Sequence, residues 1–216
     1  MSQRVGVVGC GRWGSKHLRA LECLAKKANI ECIVACDVHP TALARIESDR
    51  ILLHDDPLTL VEQFDLDSVI VATPNETHYE LGTMFLNKGV NVFLEKPIAT
   101  TFDHASSLVS TSVQEGKTLK SGFLLRFHPC IIDARTQIRS GKIGAIQSIR
   151  YSKKIQRRGD ESSHALDTLA IHGIDLAEFL LDGQTPLRIS EVVGSRTSCA
   201  LILEYPNQVE ISIDVG

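Results

Sequence analysis

Val5-Gly6-Val7-Val8-Gly9-Cys10-Gly11-Arg12-Trp13-Gly14, near the head of the chain, is the stretch whose reading decides the fold. Arg4 to Val8 is short, apolar and β-branched, which predicts a buried strand. Beyond Gly14, Leu18, Leu21, Leu24 and Ala25 recur at helical spacing. They predict a helix from near Gly11 to about Lys27. A G-x-G-x-x-G turn between a strand and a helix is the setting in which that pattern cradles a dinucleotide. Gly9 permits the tight turn, Gly11 lets the backbone approach a pyrophosphate, and Gly14 lets helix and strand pack closely. The helix N-terminus offers unpaired N–H groups and partial positive charge to phosphates. Arg12 and Trp13, inside the turn, join the glycines as candidate cofactor contacts. The plain alternative is a glycine-rich turn that binds nothing.

Asp37 adds to the pattern. Ile30 to Ala35 reads as a second buried strand, and Asp37 follows its end, 23 positions after Gly14. An acid about 20 residues beyond the turn is expected to bind the adenosine ribose. A carboxylate there accepts from both ribose hydroxyls and repels a 2′-phosphate, so NAD is expected over NADP. Arg45 stays open as a phosphate partner.

Composition bounds the rest. The 216 residues are 43% hydrophobic, enough for one large domain or two modest ones, and the net charge is −3. Nothing resembles the basic footprint of a nucleic-acid binder. No apolar stretch approaches 18 residues, so no membrane span is expected. The start lacks the apolar core of a signal peptide, and the reading is a cytoplasmic protein. Cys10, Cys23, Cys32, Cys36, Cys130 and Cys199 form no C-x-x-C pair and no zinc spacing, so no metal is expected.

Strand and helix alternate six times over residues 1–121. Further helices are predicted over Pro40 to Ser48, after Pro57, from His78 to about Lys88 and from Phe102 to Glu115. Further strands are predicted at Ile51–Leu53, Asp67–Ala72, Val90–Leu94 and Thr118–Leu125. This alternation implies a Rossmann-type, doubly wound parallel sheet with right-handed crossovers, forming an α/β dinucleotide-binding domain. Thr73-Pro74-Asn75, with His78, follows the fourth strand, and Glu95-Lys96-Pro97 follows the fifth. Ligands bind at such carboxyl ends, so Thr73, Pro74, Asn75, His78, Glu95 and Lys96 are candidate cofactor contacts. Residues 122–216 read as a smaller α+β domain with an open-faced, mostly antiparallel sheet. It comprises a helix over Pro129–Arg139, a strand over Gly144–Ile155, a polar loop over 157–163 and a helix over Leu166–Leu181. Three short strands follow, the last two joined by a hairpin at Pro206-Asn207.

Nicotinamide chemistry needs a group that takes or returns the carbinol proton. Lys96, at a strand's carboxyl end, can do this if its surroundings favour the neutral amine. His172 and Asp175, three apart on the last helix, can face one side. Each has a bland alternative as well, a strand-end surface lysine and a core histidine.

Together these stretches resemble the glucose-fructose oxidoreductase / inositol dehydrogenase (Gfo/Idh/MocA) family. The matching residues are Gly9, Gly11 and Gly14, Val71-Ala72-Thr73-Pro74-Asn75 with His78, Glu95-Lys96-Pro97, and Leu169-Ala170-Ile171-His172 with Asp175. Gly122-Phe123, Arg126-Phe127-His128-Pro129 and Ser140-Gly141-Lys142-Ile143-Gly144 also look like that family's passage into its second domain. The resemblance implies an NAD(P)-dependent oxidoreductase acting on a sugar, cyclitol or nucleotide sugar. The wording around His172 looks most like members that oxidise C3 of UDP-N-acetylhexosamines. Carried over, Lys96 and His172 flank the reacting carbinol, facing each other across a cleft. Arg126, His128 and Asp175 are candidate substrate contacts.

Two departures qualify this. The family's aspartate stands four positions before the histidine, where this chain has Thr168, and Asp167 lies one place earlier. On a regular helix that offset turns a side chain by about 100°. Asp167 is therefore kept in the catalytic set but expected to be displaced, leaving His172 to orient the carbinol. Family members also run on for roughly another hundred residues, so this chain is expected to be a minimal form or a fragment. A cofactor-binding sensor or scaffold that has lost turnover is the alternative function. An apolar outer face is expected on the second sheet, and with it a homodimer or larger assembly.

Overall fold

The computed structural model describes residues 2–155 and 164–216. The predicted polar loop over 157–163 lies outside the described residues. The chain divides into two compact units, Met1–Gly122 and Phe123–Gly216.

The first unit holds strands β1 (Gln3–Val8), β2 (Ile30–Cys36), β3 (Ile51–His54), β4 (Ser68–Val71), β5 (Asn91–Leu94) and β6 (Leu119–Ser121). Its helices are α1 (Gly14–Leu24), α2 (Pro40–Leu43), α3 (Leu60–Phe64), α4 (His78–Asn87) and α5 (Phe102–Gln114). The strands form one parallel sheet in the order β3-β2-β1-β4-β5-β6. Both faces are covered. Val8 packs with Leu60, Phe85, Leu86, Leu94 and Leu108, whereas its neighbour Val7 packs with Leu18, Ile33, Ala35 and Ile51. A strand covered on both faces has no polar side, which is why β1 and β2 read as apolar runs rather than alternations. The chain order reverses direction between β1 and β4, and the crevice at that switch lies at the carboxyl ends of both strands. Two predicted elements are shorter than expected. α2 is a single turn, and β6 ends at Ser121, after which Leu124–Phe127 forms a 3-10 turn.

The second unit holds α6 (Pro129–Arg139), β7 (Ser148–Lys153), α7 (Ile171–Leu180), β8 (Arg188–Gly194), β9 (Cys199–Glu204) and β10 (Glu210–Val215). The sheet order is β7-β10-β9-β8, with β7 parallel to β10 and the other pairs antiparallel. Alternate residues of β9 and β10 (Leu201, Leu203, Ile211, Ile213, Val215) bury one face against Leu169, Ala170 and Ala177. Gly173 lets the helix pass close to β7: a Cβ there would lie 2.7 Å from the Tyr151 ring. The predicted hairpin is present, turned by Asn207 at φ 59° and Gln208 at φ 63°.

Two expectations are corrected. The helix carrying His172 is not regular, because Leu166–Ala170 winds as a π-helix before α7 begins. The outer face of the second sheet is not broadly apolar. Ser148, Arg150 and Ser152 of β7 and Glu210 and Asp214 of β10 are its exposed residues, and exposed apolar side chains concentrate on edge strand β8 at Ile189, Val192 and Val193.

Candidate functional site

In the first unit a cleft of about 700 Å³ opens where the chain reverses between β1 and β4. Gly9, Gly11, Arg12, Trp13, Asp37, Thr73 and Pro74 help to line it. Gly14, Asn75, His78, Glu95 and Lys96 are not among its lining residues. The three glycines have distinct roles. Gly9 has φ 86°, and a Cβ there would come 2.7 Å from the Ala72 carbonyl oxygen. A Cβ on Gly14 would come 1.7 Å from the Gly9 oxygen, so α1 can start only on a residue without a side chain. A Cβ on Gly11 would meet nothing within 4 Å, because that position looks into the open cleft. An empty space over a backbone that needs no Cβ is the cradle a pyrophosphate requires.

Asp37 is held in place by backbone donors. The Cys10 N–H donates to its Oδ2 at 2.7 Å, and the His39 N–H donates to its Oδ1 at 2.9 Å. The acid is thereby tied to the glycine turn, with lone pairs left for ligand hydroxyls. Cys10 and Cys36 form the dry floor beside it. Burial first, and then the negative charge of Asp37, pushes the Cys10 thiol up to about 12. Burial does the same to Cys36, also to about 12. Both remain protonated and inert. The four buried cysteines contrast with Cys23 and Cys130, which are exposed.

The neighbouring strand end carries Glu95-Lys96-Pro97, with a cis peptide between Lys96 and Pro97. Glu95 Oε1 lies 2.8 Å from His17 Nε2 on α1, and its Oε2 accepts the Lys96 N–H at 3.2 Å. Burial pushes the Glu95 carboxyl up, but the hydrogen bond and charge of His17, with help from Lys96, bring it below its ordinary value on balance. Gly122 closes over this carboxylate, where a Cβ would lie 2.7 Å from Oε2. His78 is fully buried. Its Nδ1 lies 2.7 Å from the Pro97 carbonyl oxygen and its Nε2 3.0 Å from that of Thr73. Both ring nitrogens therefore face backbone carbonyl oxygens of the protein. It acts as a strut between the loops that follow β4 and β5.

In the second unit His172 is buried at 7% exposure, with the Phe123 ring edge-on at 6.4 Å. Arg126 Nε donates to Asp175 Oδ1 at 2.7 Å, and its Nη2 lies 2.6 Å from the same oxygen. Asp175 is 5% exposed, and its Oδ2 is buried without a protein partner. Burial raises the Asp175 carboxyl, and Arg126 offsets only part of that rise. His128 is exposed, and its Nδ1 accepts the Cys130 N–H as the cap of α6. Asp167 is exposed and Thr168 partly so. Among the described residues no group of three or more His, Cys, Asp or Glu side chains is placed to hold a metal ion. No helix among them is long and apolar enough to cross a membrane.

Residues 3–123, more than half of the chain, match the oxidoreductase family with an NAD-binding Rossmann fold known as GFO_IDH_MocA. The chain belongs to this family. Inositol 2-dehydrogenase 2 of Saccharopolyspora erythraea is 28% identical over 228 residues, covering all of this chain and 67% of that relative. Inositol 2-dehydrogenase 1 of the same organism is 34% identical over 146 residues, covering 67% of this chain and 43% of the relative. Among solved structures, myo-inositol 2-dehydrogenase from Lactobacillus plantarum superposes with a TM-score of 0.87 at 20% identity, covering 100% of this chain and 70% of that one. The WlbA dehydrogenase from Bordetella pertussis, solved with NADH and UDP-GlcNAcA, gives 0.84 at 21% identity, covering 100% and 72%. These structures share the two-domain fold.

Within this Gfo/Idh/MocA frame, sequence reasoning missed His17 and the structural role of His78. His17 lies three residues after Gly14, one turn into α1, and pairs with a residue 78 positions away. No local pattern announces such a partner.

Proposed function

We propose that the chain is an NAD-dependent dehydrogenase that oxidises or forms a CH–OH group on a cyclitol, sugar or nucleotide sugar. One observation carries the cofactor half. The cleft joins an open Gly11 backbone to a fixed Asp37 carboxylate, the pairing that pyrophosphate and ribose require. The names of the inositol dehydrogenase relatives support the substrate half.

In this reading the turn Gly9–Gly14 and the N-terminus of α1 bind the pyrophosphate, with Arg12 and Trp13 beside it. Asp37 accepts from the ribose hydroxyls, and Thr73, Pro74 and Asn75 flank the cofactor further along. Bound NAD supplies the hydride acceptor, or as NADH the donor. Lys96 Nζ takes the proton from the carbinol oxygen during oxidation and returns it in reduction. His172 hydrogen-bonds the same hydroxyl. Asp175, fixed by Arg126, keeps Oδ2 for a second hydroxyl. We further propose a homodimer joined along the exposed apolar edge of β8.

The test follows NADH absorbance with myo-inositol, other polyols and UDP-sugars. Turnover with at least one of them, reduced by about 10²–10⁴-fold in Lys96→Ala with NADH binding kept, is the expected result. Tight NADH binding with no turnover on any of them would instead leave the sensor function.

A further inference from the structure

Lys96 is flanked on both sides by backbone that other parts of the first unit hold in place. On one side the His78 ring meets the Pro97 carbonyl oxygen at 2.7 Å. On the other side Glu95 folds its side chain back along the chain, and its Oε2 accepts the Lys96 N–H at 3.2 Å. Its Oε1 lies 2.8 Å from His17 Nε2. The Glu95 backbone is fixed as well, because its N–H donates to the Val71 carbonyl at 2.9 Å. Gly122 walls in the carboxylate, where a Cβ would lie 2.7 Å from Oε2, and the His17 ring meets Phe93 edge-on at 5.4 Å. Side-chain exposure is 22% for His17 and 12% for Glu95. The pair is thus largely out of water, where a charge-assisted hydrogen bond holds its geometry best. His17 belongs to α1, which starts at Gly14. The helix that opens at the glycine turn and the loop that carries Lys96 are therefore joined by one side-chain contact across 78 positions of sequence.

We propose that His17 is a positioning residue for the reaction: through Glu95 it fixes the backbone of Lys96 to the helix that begins at the cofactor turn, and so sets where the lysine stands relative to that turn. Misplacing a reacting group by about 1 Å can cost about 10²-fold in rate, even when the change is remote from the chemistry. Neither His17 nor Glu95 lines the cleft, which separates their role from that of the residues that would touch NAD. A plain stitch between α1 and the sheet would lower stability alone. A positioning link lowers turnover as well, and that loss disappears once the lysine is gone.

This inference rests on the dehydrogenase reading for its chemistry but not for the link itself, and the experiment separates the two. In the unliganded protein the Lys96 backbone amide is followed by NMR against pH, where it reports the ionisation of the carboxylate that accepts its N–H. Burial pushes the Glu95 carboxyl up and His17 brings it down, so in His17→Leu the transition seen at Lys96 should move to higher pH. His17→Gln, whose amide nitrogen reaches about as far as Nε2 and keeps a donor, should move it less. Glu95→Gln should abolish it. In turnover, His17→Leu should lose about 10²-fold in kcat with the parent affinity for NADH, and His17→Gln should recover most of that loss. In a Lys96→Ala background, His17→Leu should cost nothing further. An unmoved transition in His17→Leu overturns the inference. So does a kcat loss that adds in full to that of Lys96→Ala, or a loss that falls on NADH affinity instead. If His17→Leu does not fold, Glu95→Gln takes its place in the kinetic cycle and His17→Gln in the titration. If no substrate turns over, the dehydrogenase reading fails separately, and the titrations still decide whether His17 acts on Lys96.

Discussion

His78 and Pro97 are joined by a 2.7 Å contact between a buried ring nitrogen and a carbonyl oxygen, and the other ring nitrogen reaches Thr73. One side chain thus ties together the loops at the ends of two neighbouring parallel strands. Replacing it with Phe keeps the volume but removes the ring N–H, leaving a buried carbonyl without its donor. His78→Phe should cost about 1–3 kcal/mol of stability, and His78→Gln, which retains an N–H donor, clearly less. Urea denaturation of the three proteins checks the order.

The glycine turn makes opposite demands at two positions. Gly14→Ala forces a Cβ into the Gly9 carbonyl, so the first unit should fold poorly and melt well below the parent. Gly11→Ala meets no protein atom and should leave the melting temperature nearly unchanged while NADH binding weakens. Trp13, the single tryptophan, lines the cleft, so quenching of its emission by NADH reads the binding directly.

Asp37→Ala should weaken NAD by about 1.5–3 kcal/mol, the loss of charge-assisted bonds to ligand hydroxyls. NADP should lose much less, because no carboxylate then repels the 2′-phosphate. Titrations with both cofactors test this, and equal losses would take Asp37 off the ribose.

The Glu95–His17 pair predicts a pH dependence of stability. The Glu95 carboxyl is lowered in the folded chain, so its ionised form stabilises above the ordinary glutamate value. That contribution disappears as pH falls through the lowered folded value. The stability gap between parent and Glu95→Gln should be widest near neutral pH and shrink below about pH 4. Denaturation curves at both ends of that range measure it.

Much of the fold was legible because its signals are local. The glycine turn marks the first β-α-β crossing, and apolar runs mark strands covered on both faces. The spacing from Gly14 to Asp37 points to the cleft that the structure contains. The π-turn was not legible. Leu169, Leu176 and Leu180 suit a regular helix, and one additional residue leaves no trace in a segment where apolar residues are dense. The protein contacts of His78 are hidden for a different reason: nothing in sequence shows that its ring nitrogens face the carbonyl oxygens of Thr73 and Pro97. Alternation in β7 and β10 predicts which residues face outward but not that the face is apolar, because the exposed positions include the charged Arg150, Glu210 and Asp214.

The division of the cysteines has a practical consequence for spectroscopy. Thiols that stay protonated in a dry floor do not react with maleimides, whereas exposed ones do. Cys23 lies on α1 of the first unit and Cys130 on α6 of the second, and both are exposed. The unaltered chain therefore carries one dye attachment point on each unit. A donor–acceptor pair introduced there would report the separation of the units in solution, and any change in it when NADH or a polyol is added, without engineering a single residue.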